Sequence, residues 1–206
     1  MKIYAVLDTN VIVSSMLTRN QFSPTRLIMT MVRDGGVIPM INDDILEEYS
    51  EVLSRSKFNI RHDDIEEILT VFLARGLKYT PNCLKRDFVD ANDIIFYETY
   101  LMRDDAYLIT GNMRHFPSEQ RILPPADMLQ VIALSEECEG KVLSESVSLY
   151  DSEDVQSSIL HAWEAFERIH ATAVANGISD MTMEEIDEEI RQYREERRER
   201  LRKESV

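Results

Sequence analysis

Short β-type runs alternating with stretches of helical periodicity confine the first 135 residues to an α/β fold with a parallel sheet. Ile3 to Leu7 reads as a buried strand, Val37 to Ile41 as a second after the turn pair Gly35-Gly36, and Ala106 to Thr110 as a third closed by Gly111. Between them, Ile45, Leu46, Tyr49, Val52 and Leu53 keep helical spacing, as do Ile65, Ile68, Leu69, Phe72 and Leu73. A further helix is expected from Asp93 to Met102, and a last short one over Asp127 to Ala133, after Pro124-Pro125.

The rest of the chain differs in kind, and three segments are expected: 1–135, an acidic linker 136–154, and a helical tail 155–206. In the tail, Ile159, Trp163, Phe166, His170 and Ala173 share one helix face, which Asn176-Gly177 would end. A second helix opens at Thr182, where Thr182 and Glu185 make a capping box and Met181 can staple onto Ile186. Its apolar face is thin, comprising Ile186, Ile190 and Tyr193. Two such helices cannot fold alone in water and must dock on another surface.

Composition narrows the function. Hydrophobic residues at 44% and charged residues at 30% fit a globular chain with a core. No apolar run approaches a membrane span, and Asp8 interrupts the opening run too early for a signal peptide, so the expected setting is cytoplasmic. Cys83 and Cys138 lack metal-ligand spacing and read as free thiols. The net charge of -15 is awkward for a nucleic-acid enzyme, because phosphate binding calls for basic surface. Residues 1–135 account for only -5 of it, however, and residues 136–206 for -10, with a basic tip over 191–206.

Carboxylates mark the chemistry. Asp8 follows the first strand, Asp90 and Asp93 precede a helix, and Asn112 follows the third strand; parallel sheets place their sites at such carboxyl ends. Hard oxygen ligands of this kind suit Mg²⁺ or Mn²⁺ and phosphate chemistry. Each also has a plain structural reading: Asp8 and Asp93 can cap helices, Glu48 sits beside Glu47 and Glu51 on a helix surface, and Asp90 divides evenly between site and turn. Asp104-Asp105 reads as a turn, His115 as a loop histidine outside the catalytic set, and Arg55 and Arg114 either as RNA contacts or, as for most exposed arginines, as ordinary surface charge.

Four segments together resemble the PIN-domain family, especially the toxins of bacterial toxin–antitoxin pairs. They are Val6-Leu7-Asp8-Thr9-Asn10-Val11-Ile12-Val13-Ser14, then Ile45-Leu46-Glu47-Glu48-Tyr49 with Val52-Leu53-Ser54-Arg55, then Asp90-Ala91-Asn92-Asp93-Ile94-Ile95-Phe96, and lastly Thr110-Gly111-Asn112. The resemblance implies a three-layer α/β/α fold with a central parallel sheet. It also implies an endoribonuclease that hydrolyses RNA phosphodiesters with a metal-activated water, using Mg²⁺ or Mn²⁺. Asp8, Glu48 and Asp93 would be catalytic; Asp8, Glu48, Asp90, Asp93 and Asn112 would hold metal; Thr9, Asn10, Ser14 and Thr110 would orient ligands or phosphate. Many relatives carry aspartate where this chain has Asn112, which brings no charge to the metal.

The tail resembles small antitoxins in Trp163-Glu164-Ala165-Phe166, Asn176 to Thr182 and Glu184 to Ile190. That resemblance implies an inhibitor fused to its target, with Arg191 or Arg194 reaching the acidic pocket and competing with the cation. The helices would dock on the nuclease surface of the same chain or of a partner chain; a dimerisation arm or mere packing is the equal alternative, and a homo-oligomer is expected. Two other functions stay open: a PIN-fold binding or regulatory protein with weak catalysis, and a phosphatase of the haloacid dehalogenase type. The second expects an aspartate where Asn10 stands and a later lysine motif that the chain lacks.

Overall fold

A computed structural model describes residues 2–80, 92–138 and 153–204, with the side chains of 136–138, 153–154 and 204 excepted. Asp90, Cys83, the Cys138 side chain and nearly all of the acidic segment 136–154 therefore lie outside the described residues.

Five parallel strands form the sheet: β1 (Ile3–Leu7), β2 (Val37–Ile41), β3 (Leu77–Lys78), β4 (Tyr107–Ile109) and β5 (Ile122–Leu123), in the order β3-β2-β1-β4-β5. β1 is central, with Ala5 level with Pro39 on one side and with Tyr107 on the other. It is buried along almost its whole length, as a strand covered on both faces must be. Pro39 within a strand that has neighbours on both sides runs against the usual rule. It is accommodated because β3 pairs only with Met40 and Ile41, leaving Pro39 free of a ladder partner on that edge.

Between β1 and β2 lie α1 (Thr9–Leu17) and α2 (Pro24–Arg33); between β2 and β3 lie α3 (Asp43–Leu53) and α4 (His62–Arg75). The chain then reaches α5 (Ile94–Tyr100), β4, a short 3₁₀ turn over Met113–His115, β5 and α6 (Pro125–Cys138). α2 begins with Pro24 behind Ser23, whose hydroxyl accepts from Arg26 N, a start the sequence pattern did not suggest. From β1 the chain moves outward first through β2 and β3 and later through β4 and β5. The gap between the ends of β1 and β4 is thus the topological switch point, where open α/β sheets bind ligands.

The tail forms α7 (Glu153–Ala175) and α8 (Met183–Glu204), both docked on the α/β body. α7 packs chiefly along α4 and also touches α1, burying Phe166, Ile169 and Ala173 in the same core as the sheet. It ends in a Schellman turn: Ile178 N donates to Ala173 O at 3.0 Å, Gly177 N donates to Val174 O at 3.2 Å, and Gly177 takes φ +70°. The capping box at the start of α8 forms in both directions, Glu185 N to the Thr182 hydroxyl and Thr182 N to the Glu185 carboxylate. Ile186, Ile190 and Tyr193 are all buried. Among the described residues no helix is long and apolar enough to cross a membrane.

Candidate active site

Asp8 leaves β1 at the switch point, nearly buried, and its Oδ2 accepts from the Thr110 hydroxyl at 2.6 Å and from Asn10 Nδ2 at 3.1 Å. Asn10 Oδ1 in turn accepts from Gly111 N, and the Thr110 hydroxyl accepts from Asn112 N at 2.9 Å. The ends of β1 and β4 are thereby stitched together by side chains, which fixes the Asp8 carboxylate without using up its other oxygen.

Glu48 enters from α3. Its helix is started by Asn42, whose side chain accepts from Ile45 N at 2.7 Å, and is held against β1 by the Tyr49 hydroxyl, which donates to Leu7 O. Glu48 is 1% exposed, whereas Glu47 and Glu51 of the same helix face outward. The Thr9 hydroxyl donates to Glu48 Oε1 at 2.7 Å. Asp93, immediately ahead of α5, is also 1% exposed. Two neighbours in the sequence motif thus support carboxylates: Thr9 holds Glu48, and Thr110 holds Asp8. Ser14 is not brought to this cluster; its hydroxyl pairs with Thr25 at 3.3 Å, between α1 and α2.

Into this acidic cavity α8 projects Arg194. Its Nη2 donates to Glu48 Oε1 at 2.7 Å and its Nη1 to Asp93 Oδ1 at 2.7 Å, with Nε 3.3 Å from Glu48 Oε2. The side chain is 5% exposed. Burial alone would depress its charge, but Glu48 and Asp93 outweigh it and hold the guanidinium well above its ordinary pKa. Arg191, one turn earlier, stands at the cavity mouth and directs its ion pairs along its own helix, to Glu188 and Glu195 rather than to the buried carboxylates.

One arginine does not neutralise the cavity. Burial pushes Glu48 upward despite Arg194, and Asp93 is raised to about 7, first by burial and then by the proximity of Asp8. Asp93 Oδ2 is buried, and the group facing it is His115 Nδ1, 2.9 Å away. Buried carboxylate oxygens that outnumber the cations facing them are the kind of hard donor set a divalent cation takes. Among the described residues, no three His, Cys, Asp or Glu side chains are drawn together closely enough to enclose a metal as they lie, with Arg194 between two of them.

Two residues of the cavity go beyond the sequence-based set. His115 bridges Asp93 and Asn112, its Nε2 lying 3.0 Å from Asn112 Nδ2. Its signal is the three-residue spacing from Asn112, which a 3₁₀ turn brings onto one side. Asp187 of α8 accepts from Asn10 Nδ2 at 2.8 Å, and its carboxyl is raised to about 6 by burial and by Asp8, against the Asn10 hydrogen bond. It precedes Arg194 by seven residues, two helical turns, so both lie on one stripe. Together the body and α8 enclose a cleft of about 670 Å³ whose lining includes Asp8, Asp93, Asn112, His115, Asp187 and Arg194. Gly111 and Met183 also line it, so close together that a Cβ on Gly111 would come within 2.6 Å of the methionine side chain.

Neither the curated proteins nor the solved structures contain a match to the chain. A family model does: the PIN domain matches residues 4–114, more than half of the chain, from within β1 into the 3₁₀ turn. With the five-stranded parallel sheet and its helical cover, this match shows that the chain belongs to the PIN-domain family, a family of metal-dependent nucleases.

Proposed function

We propose that the chain is a metal-dependent endoribonuclease of the toxin type, joined to its own inhibitor and held closed by α8. The observation that carries this reading is the placement of Arg194 between Glu48 and Asp93, where its charge substitutes for part of a cation's. Asp8, Glu48, Asp93 and the neutral Asn112 would hold Mg²⁺ or Mn²⁺, and Asp90 stands in the same motif. Such a cation supplies a lowered pKa to bound water and offsets charge on the phosphodiester under attack.

The residues of the chain do the remaining work. Thr9 and Thr110 orient the Glu48 and Asp8 carboxylates by donating to them. Asn10, anchored by Gly111 N, offers an amide to an anionic group, the place Asp187 now takes. Arg194 prevents this chemistry in the closed state by satisfying two carboxylates at once.

The test is RNA cleavage by the full chain and by its Arg194→Ala and Arg194→Ala/Asp8→Asn variants, with Mg²⁺ or Mn²⁺ and with chelator. Full-length variants are needed because α7 covers α4, so truncation at 135 would uncover core. The expected result is cleavage by Arg194→Ala that chelator and Asp8→Asn both abolish. A folded Arg194→Ala variant that cuts no RNA across varied sequences would assign the chain to the binding or regulatory reading instead.

A further inference from the structure

The inhibitory helix touches the body along three stripes, each repeating every seven residues. Ile186 and Tyr193, with Ile190 between them, form the apolar seat; Asp187 and Arg194 enter the cleft; Glu189 and Glu196 lie to one side, on Arg55 and Lys57. The third stripe is acidic and rests on a cationic pair. Glu189 takes Lys57 Nζ at 2.6 Å and Arg55 Nε at 3.3 Å, and Glu196 takes Arg55 Nη1 at 3.0 Å. The Glu189 side chain is only 9% exposed, so two cations hold one nearly buried anion.

These cations are set in a firm frame. They flank the turn that follows α3, in which Arg55 N donates to Val52 O and Phe58 N to Arg55 O. Phe58 is fully buried and pins the turn to the body. Arg55 lies two residues past the end of α3, the helix that carries Glu48. The body thus presents a preset pair of positive charges beside its carboxylate cleft, on a surface otherwise net negative, and carboxylates of the tail cover them.

We propose that Arg55 and Lys57 form the phosphate-binding rim of the nuclease, which receives the backbone of single-stranded RNA next to the scissile bond, and that Glu189 and Glu196 occupy it as phosphate mimics. The tail then displaces substrate at two places, with Arg194 standing where positive charge belongs and Glu189 and Glu196 where negative charge belongs. This inference rests on the nuclease reading but concerns RNA binding, which can be measured without cleavage.

The experiment uses the full chain in an Asp8→Asn background, with chelator, and reads the affinity of a short fluorescein-labelled oligouridine by anisotropy across a salt series. Glu189→Gln/Glu196→Gln should tighten binding roughly tenfold at low salt. Adding Arg55→Gln/Lys57→Gln should erase that gain and lower the salt slope by about 1.4, at about 0.7 for each single-strand phosphate that is no longer neutralised. Circular dichroism melts confirm that each variant is folded. An unchanged affinity in the glutamine pair, or a gain that survives removal of Arg55 and Lys57, overturns the proposal. If Arg194→Ala fails to cut RNA while the affinity pattern holds, the rim stands and the nuclease reading falls.

Discussion

The two tail helices are of similar length, yet they hold to the body by different physics. α7 is bound as core is bound. Phe166 is fully buried, Trp163 stacks on it at 4.6 Å, Arg33 lies over the Trp163 ring at 4.3 Å, and Arg26 over Phe166 at 5.1 Å. α8 has a narrow apolar seat and is held largely by charge: Arg194 in the cleft, Arg197 on Glu47, Arg200 and the Tyr193 hydroxyl on Glu51, Glu189 on Lys57 and Arg55. Apolar burial is insensitive to salt, whereas exposed ion pairs weaken as added ions screen them. α7 is therefore built as a permanent wall of the domain, and α8, on the proposed reading, is its removable cover.

Removing Arg194 should widen this contrast most. Breaking a buried ion pair from one side costs about 3–5 kcal/mol, all of it borne by the docked state of α8. Arg194→Ala should accordingly raise metal-dependent RNA cleavage by roughly two to nearly four orders of magnitude, read as initial rate, with the melting of the body nearly unchanged. Phe166→Ala acts on the other helix and should cost about 3–5 kcal/mol of global stability, seen as a lower denaturant midpoint for the whole chain. If Phe166→Ala merely loosened the tail and left the body's midpoint in place, α7 would not be a wall.

Gly111→Ala is a smaller probe of the cover. The new methyl meets Met183 rather than backbone, and overpacking of this kind costs about 1–3 kcal/mol; hydrogen exchange in the first turns of α8 should quicken while α7 stays protected. Salt is the gentlest probe. Raising it from low to several hundred millimolar should speed exchange in α8 by a few-fold and change α7 much less, since its ion pairs Arg168–Asp64 and Arg26–Glu167 only supplement its apolar seat. Equal responses of the two helices to salt would erase the distinction between them.

The sheet is legible in the sequence where a strand carries its own hydrophobic run, and not elsewhere. β1, β2 and β4 stand out because they are buried on both faces. β3 and β5 have only two residues each, too few for any period, and exist because longer neighbours offer them open ladder edges. The motifs place Asp8, Glu48 and Asp93 near one another because strand ends and helix starts at a switch point are constrained by topology. Arg194 is reachable as one of two candidates by charge alone; what separates it from Arg191 is helical phase relative to Ile190 and Tyr193, known only once α8 is seated. His115 and Asp187 escape because each gains its meaning from a partner distant in sequence, Asp93 and Asn10.

The turn that joins α7 to α8 has a further consequence. Since α7 is fixed and Gly177 and the capping box define where α8 begins, the cover is tethered a few residues from its seat. Tethering of this sort keeps a partner at an effective concentration on the order of millimolar, whatever the number of copies in the cell. Dilution does not strip α8 from its seat, and on the proposed reading each new chain arrives with inhibitor and target in a one-to-one ratio. Opening must then come from something that competes for the seat or cuts the tether, rather than from a fall in inhibitor supply.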